Sequence, residues 1–145
     1  MTMVGRRREL AISIGLLVLR LGAGGLLLVG HGWGKLVHFG EWASSFPNPI
    51  GVGPAWSLGL VTFAEVMCAG LTIVGFLTRA SVIPIIGFLA VAGFIHHAHD
   101  PWAKREMAFI YAVPFVALLF TGAGRFSLDA WLRLPWSGNE ARPSP

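Results

Sequence analysis

The chain has 145 residues, 54% of them hydrophobic and only 12% charged, against a charged share of about 25% in ordinary soluble domains. That excludes a soluble globular domain and leaves an integral membrane protein. The net charge of +4 comes from Lys and Arg scattered between apolar runs and at the ends, not gathered in a patch, which excludes nucleic acid as a partner. A lone cysteine, Cys68, excludes an intrachain disulfide or a dithiol redox centre.

Arg6, Arg7 and Arg8 precede the first apolar run, as in a secretory signal. Arg20 interrupts that run and no A-x-A-like site closes it, so a retained first helix is expected. Apolar stretches then predict spans at about 11–33, 55–77, 80–97 and 106–123, each near the ~20 residues that cross a ~30 Å hydrocarbon core. Val37 to Pro54, with three prolines and several glycines and serines, reads as a loop folded over one mouth of the bundle. Thr78 and Arg79 mark a tight turn that makes the second and third spans antiparallel neighbours. Pro84 falls early in the third span, and Pro114 interrupts the fourth. Ser127 is positioned to cap a short interfacial helix at about 127–134, and 135–145 reads as a flexible tail. The expected fold is all-α: one domain, 1–134, holding a four-transmembrane-helix bundle with that short helix at its C-terminal end.

Charge bias sets the expected orientation. Arg6 to Arg8, Arg79, Arg125, Arg133 and Arg142 fall on one side and Lys35, Lys104 and Arg105 on the other, which places both termini in the cytoplasm. All six tryptophans lie at the ends of the predicted spans or outside them, where an aromatic belt meets the headgroups.

The first span carries Arg20, Gly24, His31 and Lys35 within roughly 60° of one another on a helix. A charge at mid-membrane costs roughly 2.5–3.5 kcal/mol on insertion scales, so Arg20 needs a partner or water. Counting depth from His31 and Trp56 puts Glu65 level with Arg20 and predicts an Arg20–Glu65 pair, with Glu106 above it facing Lys35 or a histidine. Two readings follow. The pair either fixes helix packing alone or lines a polar cavity in the outer half of the bilayer, with Arg20, His31, Lys35, Glu65, His96 and Glu106 around it. Thr62, Cys68 and Thr72 share Glu65's face and would extend that lining, although hydroxyls in membrane helices commonly serve packing. His31, His96, His97 and His99 gather at the same mouth and are weak candidates for a metal or haem. The run HHAHD sits at a helix end rather than on one inward face, so no metal site and no intrinsic cofactor is assigned.

From Leu16 to Leu132 the chain resembles the DoxX family of small four-helix bacterial membrane proteins. The resemblance rests on LRLGAGGLLLVGHGWGKL, the single glutamate in AEVMCAGLTIVGFLTRAS, the EMAFIY start of the fourth span and the closing GAGRFSLDAWL. It implies a bundle whose membrane charges are Arg20, Lys35, Glu65 and Glu106. Some relatives are the small membrane subunit of a thiosulfate:quinone oxidoreductase. Others are linked to oxidative-stress complexes with a superoxide dismutase and a sulfurtransferase. The resemblance thus implies a quinone- or quinol-interacting subunit in the bacterial inner membrane, with quinone as ligand and a redox partner protein or a second copy beside it. The competing readings are a membrane anchor for a partner protein and a small solute or proton carrier. Visible inverted repeats, which would favour the carrier, are missing.

Overall fold

In hydrocarbon every backbone N–H and C=O must be paired within the chain, and the long apolar runs meet that demand as helices. The computed structural model describes residues 3–132, and these contain six helices and no strand. They are α1 (Met3–Val37), α2 (Phe39–Trp42), α3 (Pro54–Val74), α4 (Thr78–His96), α5 (Trp102–Thr121) and α6 (Leu128–Trp131). Three of them, α1, α3 and α4, are long and apolar enough to cross a membrane. The 20-residue α5 carries Lys104, Arg105 and Glu106 near its start.

The four long helices form a ring in which α1 packs on α3 and α5, and α4 packs on the same two. Leu27, Cys68, Ala69, Val82, Ile85, Phe115 and Leu118 fill the centre. Close approach of α1 to α3 depends on glycine. A Cβ on Gly32 would lie 2.8 Å from the Glu65 carbonyl oxygen, and one on Gly24 would press on Ile73 and on the Ala69 carbonyl.

Boundaries follow local chemistry. Pro54 takes the first turn of α3, where a missing N–H leaves nothing unpaired. At the other end Gly75 sits at φ 72°, and a Schellman pair closes the helix, with Gly75 N donating to Thr72 O and Phe76 N to Leu71 O. Leu77, the one non-glycine residue at positive φ among the described residues, leads straight into α4.

At 35 residues, or about 52 Å, α1 far exceeds a hydrocarbon core. Its first half runs past the α3–α4 turn, where Leu16 meets Gly124 and Glu9 approaches Arg125 at 3.9 Å. The C-terminal helix is a single turn capped by Ser127 Oγ, which accepts from Ala130 N at 3.2 Å. Residues 133–134 of the expected interfacial helix, Arg142, Trp136 and the 135–145 tail lie outside the described residues.

Candidate functional site

Three of the long helices loosen into π-helical turns: two pack side by side at mid-bundle and the third ends α4 on the side remote from Gly75. They are Leu28–Gly32 in α1, Phe63–Cys68 in α3 and Ala92–His96 in α4. Each carries one residue singled out from sequence: His31, Glu65 and His96. A π-turn inserts one residue into the helical register and re-aims the side chains beyond it, which is why such turns recur at functional sites.

Between them lies a cavity of about 710 Å³. Leu27, Leu89 and Ala108 form its apolar base, and Phe46, Pro47, Pro49 and Ile50 of the loop between α2 and α3 lie over it. Its volume falls in the ~300–1,000 Å³ range of small-ligand sites. The wall bears one buried ion pair. Lys35 Nζ donates to Glu65 Oε2 at 2.7 Å and to the His31 carbonyl at 3.2 Å. The Glu65 side chain is 4% exposed and that of Lys35 17%, so both line the cavity and Lys35 presents more of its surface.

His31 meets Tyr111 of α5 edge to face, ring centroids 5.2 Å apart, and both line the cavity. His96 and His97 lie at its rim with rings in contact, and Lys104 completes the lining from α5. His97 Nδ1 is 2.7 Å from Asp100 Oδ2. A proton on that nitrogen, donated to Asp100, holds the carboxyl below its ordinary range, and Lys104 at 3.8 Å adds to the effect. His99 is exposed and outside the lining. Among the described residues no three of His, Cys, Asp and Glu converge as metal ligands.

The expected Arg20–Glu65 pair does not form. Glu65 is level with Gly32, not with residue 20, and its partner is Lys35. Depth was counted on α1 as though its span stopped near His31. In fact α1 remains helical to Val37 and is displaced along α3, so Arg20 falls at the far end of that helix.

There Arg20, 1% exposed, caps a helix end: Nη1 donates to Ile73 O at 3.1 Å and Nη2 to Phe126 O. Asp129, also 1% exposed, caps the opposite kind of end. It accepts from Leu77 N at 2.7 Å and Thr78 N at 3.0 Å, while its own N–H donates to Gly75 O at 2.9 Å. A cation thus meets the C-terminus of α3 and an anion the N-terminus of α4, each the favourable sign for that helix dipole. Gly75 is confined between Arg20 and Ser127, where a Cβ would collide with both.

Glu106 lies on the exposed side of α5, and neither it nor Arg20 lines the cavity. Thr72 donates to the Cys68 carbonyl within α3, the packing role open to such hydroxyls, and Thr62 and Cys68 are buried away from the lining. Sequence reasoning passed over Tyr111, Lys104 and the loop apolar residues. Tyr111 did carry a signal, as the chain's only tyrosine in an otherwise apolar run.

Fold and site together define a helical membrane protein whose apolar cavity ends on one buried ion pair. The DoxX family model matches residues 15–98, and the chain belongs to the DoxX family. It is 30% identical over 129 residues to the inner membrane protein YqjF of Escherichia coli (strain K12), covering 86% of this chain and 96% of that protein. It is also 30% identical over 111 residues to the uncharacterized membrane protein Rv3486 of Mycobacterium tuberculosis (strain ATCC 25618 / H37Rv), covering 58% and 66% respectively. No solved structure matches the chain.

Proposed function

We propose that this protein is an inner-membrane, quinone- or quinol-interacting subunit of a membrane oxidoreductase or oxidative-stress complex, with the redox centre supplied by a partner protein. The observation that carries the reading is the 710 Å³ apolar cavity with Lys35–Glu65 in its wall and His31, Tyr111 and His96 around it. A quinone ring is apolar with two hydrogen-bond acceptors, which an ammonium, a phenol or an imidazole N–H satisfies. The quinol presents two donors, which the carboxylate or a neutral imidazole nitrogen accepts. Both redox states therefore find partners without a cofactor bound to this chain.

In this reading α5 is a fourth span, its 20 residues reaching about 30 Å, with Trp102, Lys104, Arg105 and Glu106 at headgroup level. Arg6 to Arg8 hold the N-terminus in the cytoplasm, and the cavity belongs to the outer half of the bilayer. An impermeant maleimide applied to intact cells should label a cysteine at Ser44 in a Cys68→Ser background; protection of that cysteine would invert the orientation.

The functional test is quinone binding by the purified protein in lipid nanodiscs. Glu65→Gln and His31→Ala should each weaken it about tenfold or more, the equivalent of roughly 1.4 kcal/mol. Glu106→Gln, outside the cavity, should leave it unchanged. Unaltered binding in well-folded Glu65→Gln and His31→Ala would overturn the quinone reading. A membrane-anchor role then takes its place, supported by exposed Phe126, Leu128, Trp131 and Leu132 beside the buried clamp, which offer a lipid or partner surface.

A further inference from the structure

We propose that the cavity is reached sideways from the bilayer, through a doorway between α3 and α4, and that its ligand keeps a hydrocarbon tail lying through that doorway. The inference rests on the cavity holding a quinone headgroup, and adds the class of quinone and its route.

The doorway follows from how α3 and α4 diverge. They leave the Gly75 turn as antiparallel neighbours, and α4 packs along Phe63–Val74 of α3. Beyond the π-turn at Phe63–Cys68, Pro54–Thr62 has little contact with α4. Leu60 and Phe63 on one jamb, and Pro84, Gly87 and Val91 on the other, all line the cavity. Leu60 and Phe63 are also 53% and 52% exposed, and Gly87 is exposed. Leu60, Phe63 and Gly87 therefore stand at an open edge of the cavity, where α3 and α4 have parted. A Cβ at Gly87 would meet nothing within 4 Å, so the sill is bare.

The jambs are apolar, whereas the polar groups lie toward α1, which supplies His31 and Lys35 and faces Glu65, and the loop residues Pro47 and Ile50 join the lining. A water-soluble ligand gains nothing from an apolar side opening. An amphiphile dissolved in the membrane can instead present its ring to Lys35–Glu65 while its tail stays among lipid chains, where it forfeits no hydrophobic stabilisation.

The test uses two probes in nanodiscs, a ubiquinone analogue with a decyl tail and the same ring without a tail, with bound quinone measured by mass spectrometry after separation of the discs from empty lipid. Gly87→Phe narrows the sill, and Leu60→Trp narrows the opposite jamb should the first variant fold poorly. Wild-type protein should retain both probes. The narrowed variants should lose the tailed probe about tenfold and hold the tailless ring within about twofold. Loss of both probes to the same degree, or undiminished retention of the tailed one, would overturn the doorway. Wild-type protein that retains neither probe would overturn the quinone reading itself, a result distinct from either of these.

Discussion

The two ends of this bundle handle buried charge in opposite ways. Around Gly75, Arg20 and Asp129 are shut away from solvent and are directed at backbone: carbonyls of α3 and of the 122–127 segment for one, amides at the start of α4 for the other. At the cavity end the charges face each other across two helices, and Lys35 is still partly open. Helices at the closed end finish in tight caps, whereas from mid-bundle toward the open end three of them loosen into π-turns. Charge bound to backbone fixes a fold. Charge paired with charge beside a cavity is, in the proposed reading, what a ligand would meet, and two of the π-turns flank it.

If that contrast is right, damage to the closed end should unfold the protein and damage to the open end should chiefly disarm it. Arg20→Ala should give the largest loss. It strips a charged donor from the Ile73 and Phe126 carbonyls, at about 1–3 kcal/mol each, and leaves a void beside Gly75. Thermal unfolding in detergent should show the drop, while the protein that remains folded binds quinone normally. A melting temperature close to wild type would mean that the clamp is not what holds the two helix ends together.

Gly75→Ala sharpens the same point without touching a charge. It places a side chain at φ 72° and against Arg20 and Ser127, so a loss of about 1–3 kcal/mol is expected. Gly87→Ala, in open space on the cavity side, is the matched control and should change stability by no more than the ~1 kcal/mol separating the two residues in a helix.

Next in size comes the ion pair. Lys35→Met or Glu65→Leu alone strands one charge in an apolar wall, softened by the cavity beside it, and should cost about 1–3 kcal/mol. The double variant should cost less than the sum, because no charge is then left unpaired. It should also have lost quinone binding while melting near the wild-type temperature, separating stability from ligand handling at one site. Additive losses would show that the two side chains do not interact in the membrane.

Much of the helical framework could be read from apolar runs, because run length and backbone pairing leave hydrocarbon-embedded chains little choice. The prolines mark the loop at 43–53, although Phe39–Trp42, expected within that loop, is a helical turn, and the Ser127 cap could be read from its place before an apolar turn. What could not be read was the slide of one helix along another. Glu65 was rightly singled out as needing a cation, but its choice between Arg20 and Lys35 is set by where Gly24 and Gly32 let α1 settle against α3. Apolar counting carries no information on that register. Asp129 was missed for a related reason. In sequence it is one polar residue among the apolar ones of a short helix, and only the return of GRFSLDAWL onto GFLTR brings it to the first amides of α4. The π-turns leave no composition signature at all.

The smallest expected effect concerns the rim, where Asp100 tests whether the open end contributes any pH dependence of its own. The hydrogen bond from His97 holds this carboxyl below its ordinary range, with partial desolvation opposing and Lys104 assisting. The folded pKa is therefore lower than the unfolded one, and over that interval the unfolded chain binds more protons. Stability from this contact is complete above the ordinary carboxylate range and is lost as pH falls through the depressed folded value. More than a third of the Asp100 side chain is open to solvent, which screens the contact, so the effect should be the least of those described here. Melting curves in detergent across that acid range should show wild-type protein losing slightly more stability than Asp100→Asn, with the two converging once the wild-type carboxyl is protonated. Identical acid profiles would mean that the His97–Asp100 contact carries no weight in the folded protein, and that the rim contributes to the site by its shape and by Lys104 alone.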